Sequence, residues 1–138
     1  MNIKLNIKKS YFNEVYLPYL NNTERFTVFY GGAGSGKSVF VVQKLILKLL
    51  KYPNRTLLVI RKVSASLRDS IYQEFVTHIT KFGLADHCKI MGSSLTIYLP
   101  NQSKIIFKGI DDPKKLKSIS GIDDIMIEEA TEITLDDF

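Results

Sequence analysis

An α/β sandwich of three layers around a mostly parallel sheet is the fold this sequence predicts, on three observations. Two short apolar runs, 26–30 and 56–60, flank a segment of helix length, the strand-helix-strand order of a parallel crossover. A glycine-rich turn joins the first run to that helix. Three further short runs between 89 and 107, separated by tight-turn residues, add a β-hairpin insertion. With 138 residues, 45% hydrophobic and 24% charged, the chain has the composition of one globular domain, which disfavours disorder and coiled rods. A single cysteine, Cys88, permits no internal disulfide, and the first thirty residues hold no apolar stretch suited to a signal or a span. Both observations point to a reducing cytoplasm.

Residues 1–25 carry aromatics and lysines without a clear period and read as a lead-in helix or strap; the domain itself runs from 26 to 138. Phe26-Thr27-Val28-Phe29-Tyr30 is β-branched and aromatic and stops at glycine, as a buried strand would. Lys37 to about Tyr52 has good helix formers, apolar residues on nearly every face and Pro53 as its stop. Thr56 to Ile60 lacks alternation, which suits a central parallel strand covered on both faces. Over 66–82, Leu67, Ile71, Phe75, Ile79 and Phe82 recur at helical spacing, and Gly83 ends the stripe. Lys89–Met91, Leu95–Leu99 and Lys104–Phe107 read as short antiparallel strands, and Ile125–Ile127 as a last strand. A further helix is predicted to begin at Thr134 and run towards Phe138.

The turn Gly31-Gly32-Ala33-Gly34-Ser35-Gly36-Lys37-Ser38 satisfies G-x-x-x-x-G-K-[ST] between a predicted strand and a predicted helix, the context that makes this motif a phosphate-binding loop. Glycines admit backbone angles that let successive N–H groups surround phosphates, and the helix start adds partial positive charge. Lys37 is placed to reach the β- and γ-phosphates, and the Ser38 hydroxyl to meet Mg²⁺. This predicts a P-loop NTPase.

Ile125-Met126-Ile127-Glu128-Glu129 supplies carboxylates at a strand end. Glu128 suits the metal's second protein ligand, and Glu129 suits a base that polarises attacking water, which favours ATP hydrolysis over transfer to a small molecule. The opposite assignment of the two acids depends on strand register and stays open.

Gly31–Ser38, Leu58–Lys62 with Leu67–Ser70, and Ser118–Glu132, with its I-x-x-I-x-I-E-E-A-T-E pattern, together resemble the large terminase subunit of tailed bacteriophages, in the PBSX-type branch. The resemblance covers Phe26 to the end. It implies a RecA-like, additional-strand ATPase domain with Glu128 as Walker B acid and Glu129 as catalytic glutamate. It further implies a motor that packages double-stranded DNA into a procapsid in the host cytoplasm, as a homo-oligomeric ring working with the portal protein and a small terminase subunit. Ala33 stands where many such proteins carry an arginine, and the first glutamine, Gln43, lies too late to read adenine by that likeness. By the same likeness a coupling segment and a nuclease domain follow, so the chain reads as the front part of a larger ATPase, with no nuclease activity expected of it.

Residues 1–110 hold 16 basic and 5 acidic side chains, and residues 111–138 hold 3 and 9. A basic body suits a polyanionic partner, and no membrane is expected. Arg61 and Lys62, at a strand end, and Arg68 are candidates for phosphate or DNA contact, Arg68 also for a finger supplied to a neighbouring subunit. Lys114, Lys115 and Lys117 form a further basic cluster. His78 and His87 lack partners at metal-ligand spacing. The residues alone are also compatible with another P-loop enzyme, such as a helicase-like ATPase, and with a nucleotide-binding module that is inactive by itself.

Overall fold

The computed structural model describes residues 3–111 and 113–137. Its centre is a five-stranded sheet of β1 (Thr56–Arg61), β2 (Lys89–Met91), β3 (Thr96–Tyr98), β4 (Lys104–Gly109) and β5 (Asp124–Ile127), in the order β2-β3-β4-β1-β5. β1 pairs in parallel with both β4 and β5, whereas β2–β3 and β3–β4 are antiparallel. The sheet is therefore mixed rather than mostly parallel. The predicted hairpin is no separate insertion either: its last strand, β4, lies at the centre beside β1.

Strand alternation decides which side is covered. Leu57, Val59, Ile105, Phe107 and Met126 share one face and join a buried core with α1 (Lys37–Lys51) and α2 (Ile71–Lys81). Phe107 meets Tyr72 and Phe75 edge-on at centroid distances of 5.1 and 5.4 Å. Each such aromatic pair adds about 0.5–1.5 kcal/mol beyond the area it buries. On the opposite face Leu58 is buried, but Ile125 and Ile127 of edge strand β5 stand 57% and 40% exposed. Two layers rather than three are thus built among the described residues, because both long helices pack on one side and against each other.

The predicted strand over 26–30 does not form a strand, and Phe26, Val28 and Tyr30 are more than 80% exposed. Both edges of β1 are taken by β4 and β5, and the run does not pair with the outer edge of β5 either. Only Phe29 turns inward, against Tyr16, Tyr19 and Phe40. The helix predicted over 66–82 starts later, at Ile71, after a 3-10 turn at Ser64–Ser66. Ser70 causes the delay: its hydroxyl donates to the Ser66 carbonyl and receives Arg61, a local bonding that competes with helix.

α1 is anchored at its far end. Asn101 donates to the Leu49 carbonyl, and the buried Ser103 hydroxyl lies against the carbonyls of Leu49 and Tyr52, so the β3–β4 turn satisfies acceptors that a helix end leaves open. Residues 3–25 form a strap with 3-10 turns at Lys9–Tyr11 and Leu17–Tyr19 rather than a long helix. Pro113–Lys117 forms the short helix α3, and the predicted last helix is a 3-10 turn at Leu135–Asp137, with Phe138 outside the described residues. No helix among the described residues is long and apolar enough to cross a membrane.

Candidate nucleotide-binding site

The loop of Gly31–Ser38 owes its shape to two glycines in the left-handed region, Gly34 at φ +77° and Gly36 at φ +78°. Gly36 is the N-cap of α1, and its carbonyl accepts from the Phe40 N–H at 3.0 Å. Any other residue there would be strained, and its Cβ would lie 3.4 Å from the Asn13 side-chain nitrogen. Gly34, Ser35, Gly36, Lys37, Ser38 and Val39 line an open recess of about 290 Å³. Backbone N–H groups at a helix start, with one lysine beside them, form a recess able to receive an anion.

Support for the loop comes from the strap, which sequence reasoning left without a role. The Tyr16 hydroxyl donates to the Ser35 carbonyl at 3.0 Å, and its ring stacks on Phe40 of α1 at 5.2 Å. The Ser35 hydroxyl is buried without a hydrogen-bond partner in the structure. A tyrosine 19 residues before Ser35 gives no local signal of this contact, since the chain must fold back to make it. Gln43 is fully buried on α1 and donates to the Tyr11 carbonyl at 2.7 Å, so it clamps the same strap.

Glu128 follows β5 directly, its N–H bonded to the Ile60 carbonyl at 2.9 Å, which continues the parallel ladder by one step. That register points its carboxylate at α1. The Ser38 hydroxyl donates to Glu128, at 3.2 Å to Oε1 and 3.4 Å to Oε2, across 90 residues of sequence. Burial pushes the Glu128 carboxyl above the ordinary carboxylate range; the Ser38 hydroxyl bond opposes this, Glu129 adds to it, and the charges of Arg61 and Lys37 oppose it. Glu129 is exposed and has a left-handed backbone at φ +53°, rare for a non-glycine residue.

These oxygens fit a magnesium ion. A half-buried carboxylate and a hydroxyl converge beside an anion recess, a setting in which a cation offsets the desolvated charge. Mg²⁺ ordinarily takes one or two protein oxygens and fills its shell with water and phosphate. Among the described residues no group of three or more His, Cys, Asp or Glu side chains gathers.

The remaining candidates separate. Arg61 donates to Ser70 at 3.0 Å, faces Glu132 at 3.7 Å and keeps a buried Nε without a hydrogen-bond partner. Lys62 faces Asp137 at 3.6 Å. Both residues therefore tie the acidic end of the chain to the end of β1. Arg68 stands apart, beyond β4. Part of the acidic stretch is structural: Asp123 accepts the Thr56 N–H at 2.9 Å, and Asp124 pairs with Lys48 at 2.5 Å and Arg55 at 3.6 Å. His78 is buried, 3.5 Å from Glu74 of its own helix.

The sequence pattern of the phage terminase large subunit family matches residues 23–138. The chain is 40% identical over 127 residues to the PBSX phage terminase large subunit of Bacillus subtilis (strain 168), covering 91% of this chain and 29% of that protein. It is 36% identical over 93 residues to the terminase large subunit of Bacillus phage SPP1, covering 67% and 22% respectively. It thus spans less than a third of the length of these curated relatives.

Proposed function

The chain belongs to the phage terminase large subunit family, and from that premise we propose that it is the ATP-binding and ATP-hydrolysing part of a viral DNA-packaging motor. The contact between Ser38 and Glu128 carries the reading, because it joins the two motifs that a P-loop ATPase must bring together. In this reading the sheet is the front part of a RecA-like, additional-strand P-loop fold, with ATP as substrate and Mg²⁺ as cofactor.

The backbone of Gly31–Ser38 holds the phosphates of ATP, and Lys37 neutralises charge on the β- and γ-groups. Ser38 and Glu128 hold the magnesium ion, which when bound supplies positive charge to the phosphate oxygens. Glu129 accepts a hydrogen bond from a water molecule, orients it towards the γ-phosphorus and takes its proton as the bond to the ADP oxygen breaks. It is exposed on a left-handed backbone, while Glu128 stays on the ladder beside Ser38. This favours the assignment of Glu128 to metal and Glu129 to water over the reverse.

Double-stranded DNA, the portal protein, a small terminase subunit and further copies of the chain in a ring are the partners this function requires, in the host cytoplasm. The test is ATP turnover by the parent and by Glu129→Gln in the presence of Mg²⁺. Loss of turnover with nucleotide binding retained supports the reading; unchanged turnover refutes it.

A further inference from the structure

Three successive residues at the carboxyl end of β1 and just beyond it hold the acidic segment that follows β5. The Ile60 carbonyl accepts the Glu128 N–H at 2.9 Å, Arg61 faces the Glu132 carboxylate at 3.7 Å, and Lys62 faces Asp137 at 3.6 Å. Glu129 lies between the first two of these ties. We propose that Arg61 is a positioning residue for Glu129, fixing through Glu132 the turn on which Glu129 stands. The inference rests on the reading of Glu129 as the base that takes a proton from water.

Three observations support the assignment. First, the Glu129 backbone needs support. At φ +53° and ψ +53° it occupies the left-handed region, where a side chain is strained, and such a residue persists only where its surroundings fix it. On the upstream side the ladder bond from Glu128 to Ile60 does so. On the downstream side the Glu132 N–H donates to the Glu129 carbonyl at 3.0 Å, closing the 3-10 turn Ala130–Glu132. The side chain of that same Glu132 faces Arg61, so losing the pair frees the residue that closes the turn.

Second, Arg61 is itself held. Its side chain is only 20% exposed, and its Nη1 donates to the Ser70 hydroxyl at 3.0 Å while its Nη2 faces Glu132. The Ser70 hydroxyl is committed in turn to the Ser66 carbonyl. A planar guanidinium spans Ser70 and Glu132 at once, which the single ammonium of lysine does not.

Third, the anchor belongs to the strand that sets the site. β1 pairs in parallel with β4 and β5, and Ser38 of α1 donates to Glu128, one residue before Glu129. Arg61 therefore ties the Glu129 turn to the same frame that carries the metal acid and the phosphate loop. A base must stand within hydrogen-bond reach of the proton it takes, so a loosened turn costs rate rather than nucleotide affinity.

The experiment measures ATP turnover by the full chain with Mg²⁺ per nucleotide-binding site, the sites being counted by calorimetric titration with a non-hydrolysable ATP analogue. The chains compared are the parent, Glu129→Gln, Arg61→Gln, Glu132→Gln, the last two combined, and Arg61→Lys. Arg61→Gln and Glu132→Gln are each expected to lower kcat by on the order of tenfold, short of the roughly 100- to 10,000-fold that a lost general base costs. KM and analogue affinity should stay at the parent's values. The combined variant should be no slower than the slower single one, because both changes open one contact. Arg61→Lys keeps a charge towards Glu132 and should recover part of the turnover. Glu132 is exposed, so its variant reads the pair even where Arg61→Gln disturbs the fold. If Glu129→Gln loses turnover while Arg61→Gln and Glu132→Gln match the parent per site, this inference fails alone, and the pair only stabilises the fold. A loss confined to Arg61→Gln overturns it as well, since Arg61 would then act without Glu132. Weaker analogue binding in place of a lower kcat overturns it by making Arg61 a nucleotide-binding residue. If the parent turns over no ATP, or Glu129→Gln turns it over like the parent, the inference falls together with the reading of Glu129.

Discussion

Changing Tyr16→Phe removes one hydroxyl from the strap and leaves its ring in place, stacked on Phe40 at 5.2 Å and edge-on to Phe29 at 6.0 Å. The hydroxyl is half-buried and donates to the Ser35 carbonyl at 3.0 Å, inside the turn that should receive phosphate. A neutral hydrogen bond of this kind contributes about 0.5–1.5 kcal/mol net. Without it the loop samples other conformations before nucleotide arrives, and binding must supply the energy that Tyr16 no longer does. Nucleotide affinity should therefore fall roughly two- to tenfold. Isothermal titration with ATP measures this, and circular dichroism should be unchanged because no packed carbon is removed. If Tyr16→Phe binds ATP as tightly as the parent, the strap does not preorganise the loop and its contact with Ser35 is incidental.

Phe107→Ala should destabilise the chain by about 3–5 kcal/mol, because the ring is buried between Tyr72 and Phe75 and its loss leaves a cavity. A urea midpoint that scarcely moves would contradict that packing. His78 should make stability depend on pH. Burial holds its imidazole below the ordinary value, against the opposing pull of Glu74, so the folded chain favours the neutral ring. Between the lowered folded value and the unfolded value of about 6.5 the unfolded chain binds more protons, so this stability is complete above about pH 6.5 and is lost as the pH falls. Urea unfolding of the parent and of His78→Gln at neutral and mildly acidic pH checks this. The parent should lose the greater share of its own stability on acidification, and equal losses would show that His78 is not responsible.

Where local residues decide the structure, the sequence alone was informative. The glycine-rich turn, α1, β1 and β5 fall close to where glycine spacing, helix formers and apolar runs put them, because each depends on neighbours in sequence. The pairing of Ser38 with Glu128 was legible too, since each motif implies the other's chemistry even across 90 residues. What escaped depends on partners. An apolar run such as 26–30 has strand character but cannot say which edge, if any, it will join, and here it pairs with no strand of the sheet. The placement of β4 at the centre was hidden for the same reason, as its turns predict hairpins but not its parallel partner. Nothing near Tyr16 announces its bond to Ser35, and nothing near Arg61 or Lys62 announces their pairing with Glu132 and Asp137.

The magnesium dependence of ATP affinity tests the central claim most directly, because it depends on Ser38 and Glu128 acting together. Calorimetric titration of the parent chain should show tighter ATP binding with Mg²⁺ than with a chelator, and Glu128→Gln should remove most of that difference while leaving metal-free binding close to the parent's. A Glu128→Gln chain that keeps the parent's full magnesium dependence would contradict the assignment of this carboxylate, and with it the site as described.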